Sequence, residues 1–136
     1  MPGSAGAAWG TAEVCAAVER YWAAAEARDW DAFTAILADD VVYDLPQSRE
    51  RILGKERHVR FNREGPGGRH ARIERIVADG EGRRAAVRTL VTIGPDEIPA
   101  VHFFTCDADG RITGVTGFWP EPYAPSAGRE HLTGRH

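Results

Sequence analysis

The stretch Val41-Val42-Tyr43-Asp44-Leu45-Pro46 sets an acid beside a leucine at the end of a run of strand formers. Neighbours on a strand point to opposite faces, so only one of Asp44 and Leu45 can look into a cavity that the strand lines. An inward Asp44 would be a proton acceptor; an inward Leu45 would be apolar wall. Leu45 shares parity with Tyr43 and Val41, and Pro46 stops the strand. The expectation is that Leu45 faces the cavity and that Asp44 is exposed or paired with a basic group. Further along, His102 shares parity with Phe104 and Cys106. An imidazole in such apolar surroundings can donate, accept or shuttle a proton. Gln47, Ser48, Arg49 and Arg51 follow Pro46, where an arginine can clamp a carboxylate or phosphate; Arg49-Glu50-Arg51 as a self-screening, solvated loop is the simpler reading.

Other chemistries find no residues to carry them. There is no GxGxxG, Walker loop, GxSxG or HExxH, and Gly65-Pro66-Gly67-Gly68 is a turn without strand–loop–helix context. Cys15 and Cys106 lie far apart without partner motifs and read as reduced core thiols. Of the five histidines only His131 and His136 are near each other. Neither a metal site nor a cofactor is expected. The 17 Lys and Arg are dispersed against 20 Asp and Glu, giving a net charge of −3, which offers no electrostatic footprint for nucleic acid. No apolar run reaches membrane-spanning length, and the first ten residues do not read as a signal peptide, so no membrane association and a cytoplasmic location are expected.

The elements that must position these residues follow from periodicity. Residues 1–10 are small and flexible in composition. From Thr11, a candidate N-cap, Val14, Val18, Tyr21, Trp22 and Ala25 recur at helical spacing. Asp29 caps a shorter helix with Trp30, Phe33, Ile36 and Leu37 on one side. Asp39-Asp40 breaks the pattern before a short strand over 41–45, residues 46–54 read as loop, and a third helix runs over 54–64. After residue 68 the period becomes two, predicting strands over 71–78, 84–93, 100–106 and 111–119. Two of the three connections, residues 79–82 and 107–110, are hairpin turns. Helices followed by an antiparallel meander give an α+β domain over 11–123, with an extended stretch carrying Pro120, Pro122 and Pro125 leading into a C-terminal tail over 124–136. Residues on both strand parities are apolar or mixed (Val87, Thr89, Val91 and Ile93 against Leu90 and Thr92), so the outer sheet face needs cover, and a homodimer is expected.

The segment VERYWAAAEARDWDAFTAILADDVVYDLP, the helix after Gly54 and four strands ending GFWPEPY resemble the NTF2-like superfamily, in particular its SnoaL-like and ketosteroid-isomerase-like members. The resemblance implies a cone-shaped α+β fold, with three helices packed on a curved antiparallel sheet that encloses a cleft. It also implies roles. Tyr21 matches the isomerases' oxyanion donor, Leu45 stands where their aspartate base stands, and His102 or Val101 falls where their protonated aspartate lies. Gly117 stands where many SnoaL-like chains carry an aspartate before FWP or YWP, and Trp119 falls at the cleft mouth.

Two functions remain open at this level. One is a cofactor-independent isomerase, cyclase or epoxide hydrolase acting on a hydrophobic carbonyl or epoxide compound, with Tyr21 stabilising negative charge and His102 carrying the proton. The other is a non-catalytic ligand-binding or dimeric interaction module that has lost the acids at Leu45 and Gly117. In either case Phe33, Tyr43, Leu45, Phe104, Gly117 and Trp119 are the expected contacts to a hydrophobic small molecule. The ionisation and partners of His102 separate the two: a catalytic imidazole should meet Tyr21 or open to the cleft, and a structural one should be wholly packed.

Overall fold

The computed structural model describes residues 10–65 and 67–136, so the expectation for residues 1–9 lies outside the described residues. Helix α1 (Thr11–Ala27) buries Val14, Ala17, Val18, Tyr21, Ala24 and Ala25, the stripe that its sequence period demands. Its N-cap is Gly10 rather than Thr11, and the Gly10 N–H donates to Glu13 Oε1 at 2.8 Å. Arg28 ends the helix in the left-handed region, with φ 58°. The Asp29 carboxylate then accepts from the Ala32 N–H at 3.1 Å and starts α2 (Trp30–Ala35), as expected of an N-cap.

Six strands form one sheet: β1 (Leu37–Leu45), β2 (Glu50–Leu53), β3 (Arg69–Asp79), β4 (Arg84–Ile93), β5 (Asp96–Cys106) and β6 (Ile112–Phe118), in the order β2-β1-β6-β5-β4-β3. Helix α3 (Lys55–Arg63) separates β2 from β3. The α+β class and the helices-on-sheet layering hold. The sheet is mixed rather than wholly antiparallel, because β1 runs parallel to β6, with Tyr43 opposite Val115 and Asp44 opposite Thr116.

Three boundaries differ from the sequence expectation. Asp39 and Asp40 do not break the chain; β1 passes through them with both side chains exposed, and Lys55 pairs with Asp39 at 2.8 Å. The segment expected as loop after Pro46 contains β2, an edge strand antiparallel to β1. Strand β5 starts at Asp96, not Ala100. Residues 96–100 have β4 on one side only, and β6 joins from Val101, so Pro99 lies on an edge segment of the strand, where proline is tolerated. The core lies between the helices and the inner sheet face, around Val14, Val18, Phe33, Val41, Val87 and Ile112. The tail from Pro120 is exposed throughout.

Candidate functional site

A cavity of about 530 Å³ opens where the strands end, between Leu45 of β1, Ile93 of β4, Gly117 of β6, Trp119, Arg69 of β3 and Phe61 of α3. Gln47, Ser48, Glu50 and Glu121 complete its solvent side, all four exposed. The Trp119 N–H donates to Gln47 Oε1 at 2.5 Å and ties the β1–β2 turn to the end of β6. A larger groove, about 670 Å³, lies between α1, α2 and the β5–β6 turn, but alanines wall it and none of the aromatic or imidazole groups reaches it. The cavity at the open end of the sheet is the candidate site.

Strand alternation works as expected around the opening. Leu45 is buried and borders the cavity. Asp44 points the other way and is held by Arg51, with Nε to Oδ1 at 2.7 Å and Nη2 to Oδ2 at 3.1 Å. That pair holds the Asp44 carboxyl below its usual range.

Tyr21 is 2% exposed, and its hydroxyl lies 2.8 Å from Nε2 of His58. Phe33 and Phe104 pack on its ring, at centroid distances of 4.7 and 5.1 Å. None of Tyr21, Phe33 and Phe104 borders the cavity; they form the packed layer behind it. Burial pushes the Tyr21 hydroxyl well above the ordinary tyrosine value, and neighbouring Tyr43 adds to the shift.

His102 is 1% exposed and makes no hydrogen bond with the Tyr21 hydroxyl, which is engaged by His58. Trp22 and Trp119 stand edge-on to its ring, at 4.9 and 5.2 Å, and Phe104 and Tyr43 complete the box. Neither ring nitrogen has a partner among the described residues. Burial, reinforced by the positive charge of Arg69, pushes its pKa down to about 3. It is a neutral, packed imidazole at physiological pH. Val101, the alternative position, points to the outer face of β5.

Gly117 lies opposite His102 across the β5–β6 ladder. A Cβ there would stand 2.9 Å from the Tyr43 hydroxyl and 3.0 Å from His102 Nε2. Glycine therefore lets three strands close around this point while still bordering the cavity. Tyr43 is itself buried, stacks edge-on with Phe61 at 5.4 Å, and has its hydroxyl pushed up by burial, with the Trp119 side chain acting against the shift.

Sequence reasoning missed His58, Phe61 and Arg69. His58 is fully buried in a nine-residue helix, KERHVRFNR, whose five charged residues mask its single inward turn. Its pKa is pushed down to about 4 by burial. Arg69 opens β3 directly after the glycine turn, opposite Ile93, and this register aims it at the cavity. No cluster of histidine, cysteine, aspartate and glutamate suited to a metal ion occurs among the described residues.

Comparison with known families matches residues 18–115 to the SnoaL-like domain. The chain belongs to the SnoaL-like family. Among solved structures, a Kribbella flavida protein named "putative ketosteroid isomerase" is 41% identical, with 93% of this chain and 91% of that one aligned at a TM-score of 0.86. An LEH-like epoxide hydrolase of M. tuberculosis is 31% identical over 81% of this chain and 84% of its own, at a TM-score of 0.66. An NTF2-like protein of Burkholderia xenovorans, 23% identical over 91% and 95% of the two chains at 0.74, shares the fold. A search of curated proteins finds no match. The matched residues run from within α1 to within β6 and stop short of Gly117 and Trp119 in the cavity wall. No helix among the described residues is long and apolar enough to cross a membrane.

Proposed function

We propose that this SnoaL-like protein is a small-molecule binding protein that holds a largely apolar ligand in the cavity between Leu45, Phe61, Gly117 and Trp119, without abstracting a proton from it. The observation that carries this reading is the lining. Among the described residues the carboxylates bordering the cavity are Glu50 and Glu121, both exposed at its rim, and Leu45 and Gly117 stand where the resemblance implies aspartates. Both interior imidazoles are packed away from it and stay neutral. A conjugate acid this strong makes its imidazole a feeble base toward a C–H bond at neutral pH. What remains is shape and apolar surface, worth about 25 cal/mol per Å² removed from water.

A second reading, cofactor-independent acid–base catalysis on a carbonyl or epoxide compound, is favoured by the Tyr21–His58 hydrogen bond and by the names of the two relatives above 30% identity. The two separate in one experiment with 2-acetonaphthone in D₂O. Binding is followed by quenching of tryptophan fluorescence, and exchange at the acetyl methyl group by NMR. The binding reading expects saturable quenching and exchange at the buffer rate. Enzyme-accelerated exchange that Tyr21→Phe abolishes would establish the catalytic reading instead. We also infer that two copies pair through the outer sheet face, where Phe103 and Val77 are exposed and Phe118 packs edge-on against Phe103 at 6.0 Å.

A further inference from the structure

The cavity wall carries one cation in an unusual position. Arg69 is half-buried beside Trp119, Gly117 and Phe61, yet it forms no ion pair with any carboxylate among the described residues. Charged groups taken out of water normally carry a partner, because desolvation otherwise goes uncompensated. The side-chain bond that Arg69 makes is from Nη2 to the Asn62 carbonyl at 3.3 Å, at the end of α3. That contact occupies one of five guanidinium donors, and the last turn of α3 already has its own cations, Arg60 and Arg63.

The surroundings make the position more positive, not less. Arg28 donates through Nη1 to the Ala25 carbonyl at 2.8 Å and through Nη2 to the Arg69 carbonyl, which sets a second guanidinium close by. The nearby acid, Glu26, is engaged by His70 Nδ1 at 2.8 Å and by the Ala71 N–H at 2.9 Å. Burial first, and Arg28 second, hold Arg69 below the usual arginine value, the signature of a charge short of compensation. The two rim carboxylates do not supply it. Glu50 Oε1 is bound by the Ser48 hydroxyl at 2.6 Å, and Glu121 sits on the exposed tail, where water and salt screen it.

We propose that Arg69 is the anion-recognition residue of this cavity, and that the ligand is an apolar, ring-sized molecule bearing a carboxylate, which pairs with the guanidinium while its apolar body lies against Trp119, Phe61 and Leu45. The inference rests on the small-molecule reading above and narrows its ligand class. A guanidinium fork matches a carboxylate in a two-point, planar pairing that a ketone oxygen cannot make.

The test compares 2-naphthoate with 2-acetonaphthone, which share a ring system and differ in charge. Calorimetry at low and at 0.5 M NaCl is run on the wild-type chain and on Arg69→Met and Arg69→Lys. The expected result is a preference for naphthoate of about tenfold or more at low salt, narrowing at high salt. Arg69→Met should remove the preference by weakening naphthoate alone, and Arg69→Lys should retain part of it. The wild-type salt titration stands by itself should Arg69→Met fail to fold. Equal affinity of the two probes for the wild type, or an unchanged preference in Arg69→Met, overturns the assignment of Arg69 and leaves the pocket reading intact. Failure of both probes to bind overturns the two together.

Discussion

Gly117→Ala is a sharp test of how tightly β1, β5 and β6 close beside the cavity. The added Cβ would lie 2.9 Å from the Tyr43 hydroxyl and 3.0 Å from two atoms of the His102 ring, distances that real Cβ contacts scarcely tolerate. Neither neighbour can yield cheaply. Tyr43 is wedged between His58 and Phe61, and His102 is boxed by Trp22, Phe104 and Trp119. Overpacking of this kind costs roughly 1–3 kcal/mol. Glycine's greater freedom in the unfolded chain returns about 0.4–1 kcal/mol to the alanine variant. The net expectation is a loss of about 1–2 kcal/mol, read as a fall of roughly 0.5–1 M in the urea midpoint at unchanged slope. Gly114→Ala is the internal control. Its Cβ would lie at ordinary contact distance, 4.0 Å, from the Val42 carbonyl and crowd Thr105 Oγ1, at 2.7 Å, an exposed hydroxyl that can rotate away from its Thr113 partner. It should shift stability by less than about 0.5 kcal/mol. If Gly117→Ala proved as stable as the wild type, or more so, the close packing of Tyr43 and His102 around residue 117 would be refuted.

Both interior histidines have folded pKa values, about 4 for His58 and about 3 for His102, below the unfolded value near 6.5. The unfolded chain therefore binds more protons, and stability should be complete above about pH 6.5 and fall as pH drops toward these values; urea midpoints between pH 7 and 4 that stay constant would contradict the burial of both rings. Asp44→Asn removes an exposed pair with Arg51 and should cost less than about 1 kcal/mol while leaving 2-acetonaphthone affinity unchanged. Leu45→Asp loses about 2 kcal/mol of apolar burial and adds a carboxyl to the cavity wall, so it should lower the melting temperature and weaken that probe; the reverse ranking of the two variants would mean that β1 faces the other way. Light scattering should give a dimer at micromolar concentration and a monomer for Phe103→Glu, whereas a wild-type monomer would remove the outer-face pairing.

The parts of the fold legible in the sequence were those where one face is apolar and the other is not. Helix α1 and strands β3 and β4 announce themselves this way, and so does the inward parity of Leu45. Strand β2, Glu-Arg-Ile-Leu, did not: it is an edge strand whose charged residues protect it from pairing with other chains, and this erases the apolar alternation. Asp39 and Asp40 misled for a related reason, since acids on the solvent side of a strand look like a turn until a partner such as Lys55 is known. The parallel pairing of β1 with β6 joins residues more than 70 positions apart, and no local signal encodes it. At the site, Arg69 and His58 were invisible because their meaning lies in what surrounds them. An arginine after a glycine turn reads as surface until the register with Ile93 sets it in the cavity wall.

The lack of a carboxylate at Leu45 and Gly117 has a consequence for the rest of the interior. In a site with inward carboxylates, a buried histidine gains a counter-charge and can ionise near neutrality. Here Gly117, opposite His102 on the ladder, has no side chain, and the adjoining wall is leucine, so no counter-charge offsets its desolvation, and Arg69 opposes a second positive charge. The same absence leaves Arg69 without an internal partner. The lack of inward carboxylates at these two positions underlies both features: imidazoles held neutral and sealed, and a cation with unused donors in the cavity wall. A cavity built in this way cannot readily hold a proton in its interior, but it can hold a negative charge at its entrance. On the proposal that Arg69 recognises an anion, that polarity, apolar within and positive at one wall, is the specificity the chain would present to a ligand.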